Sequence, residues 1–490
     1  MIPLITPILI YLFTAFTSPL VGLLNSKVRD YYVMLMALAC LAIALSFYPQ
    51  ASLGITTYWV GGWAPAETVY GITLALDAFS WLFLLIVALL GFSTAVYSHR
   101  YMEKGANLPK YYTLLCLLCA GMSGVVLTGD LFNLFVFTEV TAFSAIGLVA
   151  FRGDRNALAA AFNYLVIISL ATVLILIAIM LLYGETGTLN MAHVAAKMPW
   201  NFTVQVALGL FVAGFAIEAA FFPVYNWLPD AHGGAPSSIS AMLSGAIVKM
   251  GVYSFLRILF TVYGASGPSG LFLTMGLASM FTGVTLALIQ TDFKRLLAYH
   301  TVSQMGYIIF GIGIGTYLGI AGGLFHLLNH AIFKGLLFLT AGAVLYRTGT
   351  KDLNRLGGLA RNMPITAFAF AVGALSISGI PPFNGFASKW ILYNASFAYN
   401  PLFTVVAVFA SALTLASFMK VFHAVFLGNR PKELEGVKEV PVSMAAPMVL
   451  LALLCIAIGL FPDVLLDNVI YPAVSALLAQ HEYIKAVLFR

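Results

Sequence analysis

Residues 158–183 read LAAAFNYLVIISLATVLILIAIMLLY, 26 consecutive positions without a charged side chain. As a helix rising about 1.5 Å per residue, this run is about 39 Å long, enough to cross a hydrocarbon core of about 30 Å. A helix also satisfies its backbone polar groups within the segment, as lipid requires. The run reads as a transmembrane helix, and similar runs surround it. They lie near residues 3–24, 31–48, 73–97, 111–128, 130–151 and 205–228, and then near 238–262, 270–290, 297–315, 318–346, 363–395, 401–427 and 441–462. The expected fold is therefore an all-α polytopic membrane protein of about fourteen transmembrane helices.

Composition supports one membrane domain. Of 490 residues 61% are hydrophobic and 9% charged, whereas soluble domains carry about 25% charged residues. The first run has no Lys or Arg before it and no small-residue cleavage site, so it reads as a retained helix rather than a signal peptide. Cys40, Cys116, Cys119 and Cys455 all lie in apolar runs. Cys116 and Cys119 form a C-x-x-C pair, but it sits mid-helix without a third or fourth ligand nearby, so neither metal nor cofactor is expected. The net charge of +6 is spread along the chain, which gives no patch for nucleic acid.

The distribution of that charge tests the helix count. Alternating the flanking segments between two faces puts Lys27, Arg29, Arg100, Lys104, Lys110, Arg152, Arg155, Lys294, Arg295, Arg347, Lys351, Arg355, Arg361, Arg430, Lys432 and Lys438 on one side. Lys197, Lys485 and Arg490 fall on the other. By the positive-inside rule the first face is the inner one, and both termini lie outside. The expected location is the cell (cytoplasmic) membrane.

Two spans are interrupted by proline. Pro223 lies in the seventh and Pro229 just after it, while Pro381 and Pro382 break the twelfth within Gly379-Ile380-Pro381-Pro382. Broken helices at matching positions mark transport sites in repeated folds. Spans seven and twelve are five apart, an odd number, so repeats built of spans four to eight and nine to thirteen must be inserted with opposite orientation. The expected units are 1–110 with helices one to three, 111–262 and 263–427 as two inverted five-helix repeats, and 428–490 with helix fourteen and a tail.

Charges inside spans carry the functional reading, because each costs about 2.5–3.5 kcal/mol at mid-membrane. Glu139 and Glu218 lie in spans five and seven, Lys249 about eleven residues into span eight, and His326, His330 and Lys334 at four-residue intervals in span eleven. That interval puts the last three along one helical face. Lys389 follows the break of span twelve by about two turns, towards the outer half. Histidine exchanges protons near neutral pH, which suits a relay. Lys420 and His423 read as structural, and the role of Arg257 is left open. The tail, 462–490, has apolar residues at helical spacing at Ile470, Val474, Leu477 and Leu478, as in an interfacial or partner-docking helix.

Four stretches carry a family resemblance: FPVYNWLPDAHGGAP at 222–236, DFKRLLAYHTVSQMG at 292–306, FHLLNHAIFK at 325–334 and GIPPFNGFASK at 379–389. The chain resembles the antiporter-like subunits of respiratory complex I, Mrp-type sodium/proton antiporters and membrane-bound energy-converting hydrogenases. The resemblance implies fourteen core helices with inverted repeats, and a chain of ionisable residues comprising Glu139, Lys249, His326, His330, Lys334 and Lys389. It also implies a multi-subunit complex with partner membrane subunits. Moving one charge against 100 mV takes about 2.3 kcal/mol and the chain shows no cofactor site to supply it, so a peripheral redox module on the inner face, or a set of further antiporter-like subunits, is expected to touch the loops near residues 347–361 and 428–440. Any oxidoreductase or hydrogenase centre would belong to that module. One position departs: the family pattern has lysine five residues before the first proline of the signature, and this chain has Glu218. Two nearby carboxylates repel, so one holds a proton or the pair attracts a cation such as Lys249 or sodium. The expected function is proton translocation, or sodium/proton antiport, within a multi-subunit complex. The alternatives are a non-translocating scaffold of such a complex and a self-sufficient secondary transporter.

Overall fold

The structure, a computed structural model, describes residues 2–63, 71–102, 107–267 and 269–489. Lys104 and Arg490 of the charge tally lie outside the described residues. Each of the apolar windows falls largely on helix. Eleven described helices are long and apolar enough to cross a membrane by themselves. Phe293–Ile314, with 22 residues, is more polar and almost wholly buried. Phe202–Glu218 and Pro364–Ser378 are shorter apolar helices that stop at the breaks.

Helix ends follow local chemistry. Asp130 accepts a hydrogen bond from Asn133 N at 2.8 Å, and Asp292 accepts from Lys294 N at 2.9 Å. Each carboxylate thereby satisfies one of the free N–H groups that open a helix. Gly187 and Gly349 close the 32-residue helices Arg155–Thr186 and Tyr317–Thr348 with φ of 68° and 71°, a backbone region that glycine enters without steric cost.

These junctions occur twice. Asp130 bridges Asn190 and Asp292 bridges Asp352, with 292 − 130 and 352 − 190 both equal to 162. At the same offset, Leu131 N donates to Leu189 O and Phe293 N to Lys351 O, each at 2.8 Å. Thr186 Oγ1 donates to Leu182 O and Thr348 Oγ1 to Val344 O, again each at 2.8 Å.

Several expectations need correction. The window 73–97 is not helical from its start. Thr73–Leu76 is a strand paired antiparallel with Thr56–Trp59, and the helix Ala78–Tyr101 begins after the capping box of Asp77 and Ser80. The β-branched and aromatic residues Thr56, Thr57, Tyr58 and Trp59 suit an extended pair, and among the described residues this is the one pair of strands in a helical fold. Pro229 lies within the helix Trp227–Gly234 rather than after it. It is tolerated in the first turn, where an N–H would have no intrahelical partner.

The tail is not a straight helix. Pro462–Leu478 and Gln480–Leu488 meet at 77° and fold back over the loop ends. Tyr48 and Tyr317 hydroxyls donate to Asn468 O and Tyr471 O, and Gln480 Nε2 donates to Val262 O at 3.0 Å. Within the tail Ile470, Val474 and Leu477 are buried, but Leu478 is exposed.

Burial orders the helices around two central ones. In Ser237–Val262 and Tyr317–Thr348 the apolar window is 100% buried, against 33% in Thr6–Leu24. Side chains on the two central helices meet protein rather than lipid, which is where ionisable residues in membranes are tolerated.

Candidate ion pathway

Both breaks free a carbonyl that the helix would otherwise use. The first helix ends at Glu218, passes through Ala220 at φ 53° and Pro223, and resumes at Trp227. Trp227 Nε1 donates at 2.9 Å to Ile217 O, which loses its regular helical donor at the break and also accepts from Ala220 N at 3.1 Å. The second ends at Ser378, turns through Gly379, Pro381 and Pro382, and resumes at Asn384. There the ammonium of Lys389 donates to Ile377 O at 2.8 Å. The half-helices pass so close that a Cβ on Gly385 would lie 1.7 Å from Ser376 O.

Lys249 occupies the centre. It follows a π-helical turn, Leu243–Ile247, and donates both to Ser244 O and, at 2.6 Å, to His330 Nδ1. With Nδ1 accepting, His330 keeps its ring proton on Nε2, and that atom is buried with no hydrogen-bond partner. One turn earlier, His326 donates from Nε2 to Gln304 Oε1 at 3.1 Å, and its Nδ1 is 3.0 Å from Ser388 Oγ. The His326 and His330 rings are 6.4 Å apart.

The far end is a hydroxyl cluster. Lys389 donates to Ser411 Oγ at 2.7 Å, and that oxygen is also 3.0 Å from the Tyr307 hydroxyl and 2.7 Å from that of Tyr393. The Tyr307 ring lies 4.7 Å from the Lys389 ammonium and 5.5 Å from the His326 ring, linking the two.

Three expected members stand apart. Lys334 shares the helix face but donates to Leu297 O at 2.6 Å and lies over Phe338 rather than meeting the histidines. Glu139 is only half-buried, though it is close enough to Glu218 for the carboxylates to interact. Glu218 is buried on the opposite side of Ser237–Val262 from His330, packed on Gly251. The expected attraction of Lys249 to the carboxylates is not found, because its ammonium is engaged by His330 and Ser244.

Arg257, left open above, makes a two-pronged ion pair with Asp77 at 2.8 and 2.9 Å, both side chains 2% exposed. Its guanidinium also lies over the rings of Phe79, Tyr253 and Tyr483. The pair ties Ala78–Tyr101 to Ser237–Val262 and to the tail. Lys420 donates to Leu288 O and Gln290 O, a structural role as expected. The loops near 347–361 and 428–440 clasp each other, with Arg347 donating to Glu439 O and Asn362 to Val437 O.

Sequence reading missed Asp77, Gln304, Tyr307, Ser388, Tyr393 and Ser411. Asp77 is set apart by its pairing with Arg257; hydroxyls and amides are common in spans as packing groups, and only their convergence on His326 and Lys389 distinguishes the other five. Among the described residues, no group of three or more His, Cys, Asp or Glu could hold a metal ion.

A helical membrane core with two broken helices and a buried row of lysines and histidines defines a class of ion-handling membrane subunits, and comparison agrees. The family described as NADH:quinone oxidoreductase/Mrp antiporter, TM, matches residues 128–414, and the complex I chain 5 N-terminal family matches residues 63–112. The chain belongs to the NADH:quinone oxidoreductase/Mrp antiporter transmembrane family. It is 35% identical to NADH-quinone oxidoreductase subunit N of Desulforudis audaxviator, over 94% of this chain and 96% of that one. It is also 35% identical to a Na(+)/H(+) antiporter subunit of Alkalihalophilus pseudofirmus, over 89% of this chain and 88% of that one. Among solved structures, a chain of the membrane-bound sulfane sulfur reductase, an archaeal respiratory membrane complex, superposes with a TM-score of 0.90 and 31% identity, covering 99% of each chain.

Proposed function

We propose that this chain translocates protons, or exchanges sodium for protons, as one membrane subunit of a larger respiratory or antiporter complex. The observation that carries the reading is the Lys249–His330 contact, continued by His326, Ser388 and Lys389 inside helices shielded from lipid. Burying several cations without carboxylate partners costs several kcal/mol per ion, a cost that a scaffold has no use for. A proton would pass between Lys249 and His330, cross the 6.4 Å ring gap to His326 by side-chain motion or a bridging water, and reach Lys389. Lys334 and Glu139 would serve as side stations, Lys334 towards the inner face and Glu139 towards a neighbouring subunit.

The doubled junction at 162-residue offset supports two repeats, 111–262 and 263–427, inverted as the odd spacing of their broken helices requires. Counting the polar helix and the two broken ones as crossings brings the total to fourteen, with the basic loops inside a cell membrane and both termini outside. The chain holds no energy source of its own in this reading. Moving one charge against 100 mV takes about 2.3 kcal/mol, so a redox module or partner antiporter subunits would supply it.

The test is ion flux in vesicles carrying the assembled complex. Lys249→Ala should reduce flux to background while the complex still assembles. Wild-type flux in that variant would overturn the pathway and leave the chain a scaffold.

A further inference from the structure

Glu218 is the one buried carboxylate of the ionisable set, and it has neither a cation nor a hydrogen-bond donor among the described residues. Its Oε1 is buried and unpartnered, with the residue 9% exposed. Lys249, the nearest candidate on the adjoining helix, is committed to Ser244 O and His330. An isolated ionised carboxylate in such a place costs several kcal/mol, so it must be neutralised by a proton or by a mobile cation.

The space for a cation is present. Glu218 lines a cavity of about 30 Å³ with Thr138, Thr141 and Tyr164. A site needs roughly 10–15 Å³ of such volume for one water-sized occupant, so this one has room for a small cation stripped of most of its water. The Thr141 hydroxyl has its hydrogen committed elsewhere. Thr141 Oγ1 gives its hydrogen to Phe137 O at 2.8 Å, which leaves its lone pairs free. Tyr164 is held by stacking on Trp227 at 4.6 Å. The remaining walls are apolar, from Val125, Ile168, Ile247 and Met250.

The oxygen set selects the class of ion. Hard oxygen donors suit alkali and alkaline-earth cations, but calcium takes six to eight oxygens, more than this cavity offers. The titratable groups around it are Glu139 and Tyr164, too few for a divalent ion.

We propose that this cavity is a sodium site, in which the Glu218 carboxylate and the Thr138 and Thr141 hydroxyls bind the dehydrated ion. Sodium and a proton compete for the same carboxyl: when sodium enters, the O–H bond of protonated Glu218 breaks and the proton leaves, and the reverse step releases sodium. A tethered lysine at this position would block the exchange by occupying it, so Glu218 marks the first half for sodium and leaves the Lys249–His330–Lys389 row for protons. This rests on the translocating reading given above.

Two measurements separate the site from that reading. In vesicles with the assembled complex, proton flux should depend on sodium in the wild type and become independent of it in Glu218→Gln. Thr141→Val should raise the half-saturating sodium concentration by about tenfold or more, the loss expected when a charged group loses one polar partner. Binding of radioactive sodium to the purified complex should fall as pH falls and vanish in Glu218→Gln. Sodium binding that depends on Glu218 without any flux would retain the site and sink the translocating reading. Proton flux indifferent to sodium, or sodium binding unchanged in Glu218→Gln, would overturn the site.

Discussion

The two helix breaks free the same group and satisfy it differently. In the first, the carbonyl of Ile217 is taken by the neutral indole of Trp227; in the second, that of Ile377 is taken by the ammonium of Lys389. The first break therefore leaves its own ionisable residue, Glu218, facing a cavity that it shares with Thr138, Thr141, Tyr164 and apolar side chains. The second ties its ionisable residue into a network with Ser411, Tyr307 and Tyr393. A broken helix sets up a polar site by releasing backbone, and the side chain that answers the freed carbonyl decides whether the site is open to a small ion or closed into a relay.

Replacement of the two answering side chains should separate their roles most strongly. Lys389→Met should abolish flux in vesicles, because the network then loses its only titratable amine. Equal flux in Lys389→Met and wild type would break the comparison by making both breaks purely structural. Arg257→Met should destabilise next most, by about 3–5 kcal/mol, since it strands Asp77 as a buried unpaired charge. Thermal unfolding of the purified complex checks this, and Asp77→Asn in the same chain should recover most of the loss. Trp227→Phe should cost about 1–3 kcal/mol of stability, because Ile217 O loses the indole donor and keeps Ala220 N, with flux per assembled complex persisting. The smallest effect should come from the backbone. Ala220 holds φ 53° where Gly379 holds 77°, so Ala220→Gly should stabilise by about 1 kcal/mol and Gly379→Ala destabilise by about 1–2 kcal/mol. Identical melting temperatures for these two variants would show that the breaks do not share a backbone requirement.

Much of this was legible because the bilayer imposes hard rules. Apolar length located each helix, and proline located each break, since Pro cannot donate within a ladder. Buried charge located Lys249, His326, His330 and Lys389. The hairpin Thr56–Trp59 with Thr73–Leu76 was not legible, because Thr73-Leu74-Ala75-Leu76 reads equally well as the first turn of a span. Four-residue spacing joined Lys334 to the histidines, yet its flexible stem carries the ammonium to Leu297 O. Arg257 could not be assigned because Asp77 is 180 residues away.

By itself the sequence determined that this is a helical membrane protein with two proline-broken spans, that a row of ionisable residues lies within its membrane spans, and that a carboxylate stands at 218. These are consequences of chain-local quantities: apolar run length, proline's missing N–H, and the cost of a charge in lipid. Only the tertiary structure decided that Lys249 meets His330 rather than a carboxylate, that Glu218 is left facing a cavity, and that Arg257 is spoken for by Asp77. Those outcomes depend on which side chains from distant helices reach the same few ångströms of space, and hydrogen bonds and ion pairs act only at that range.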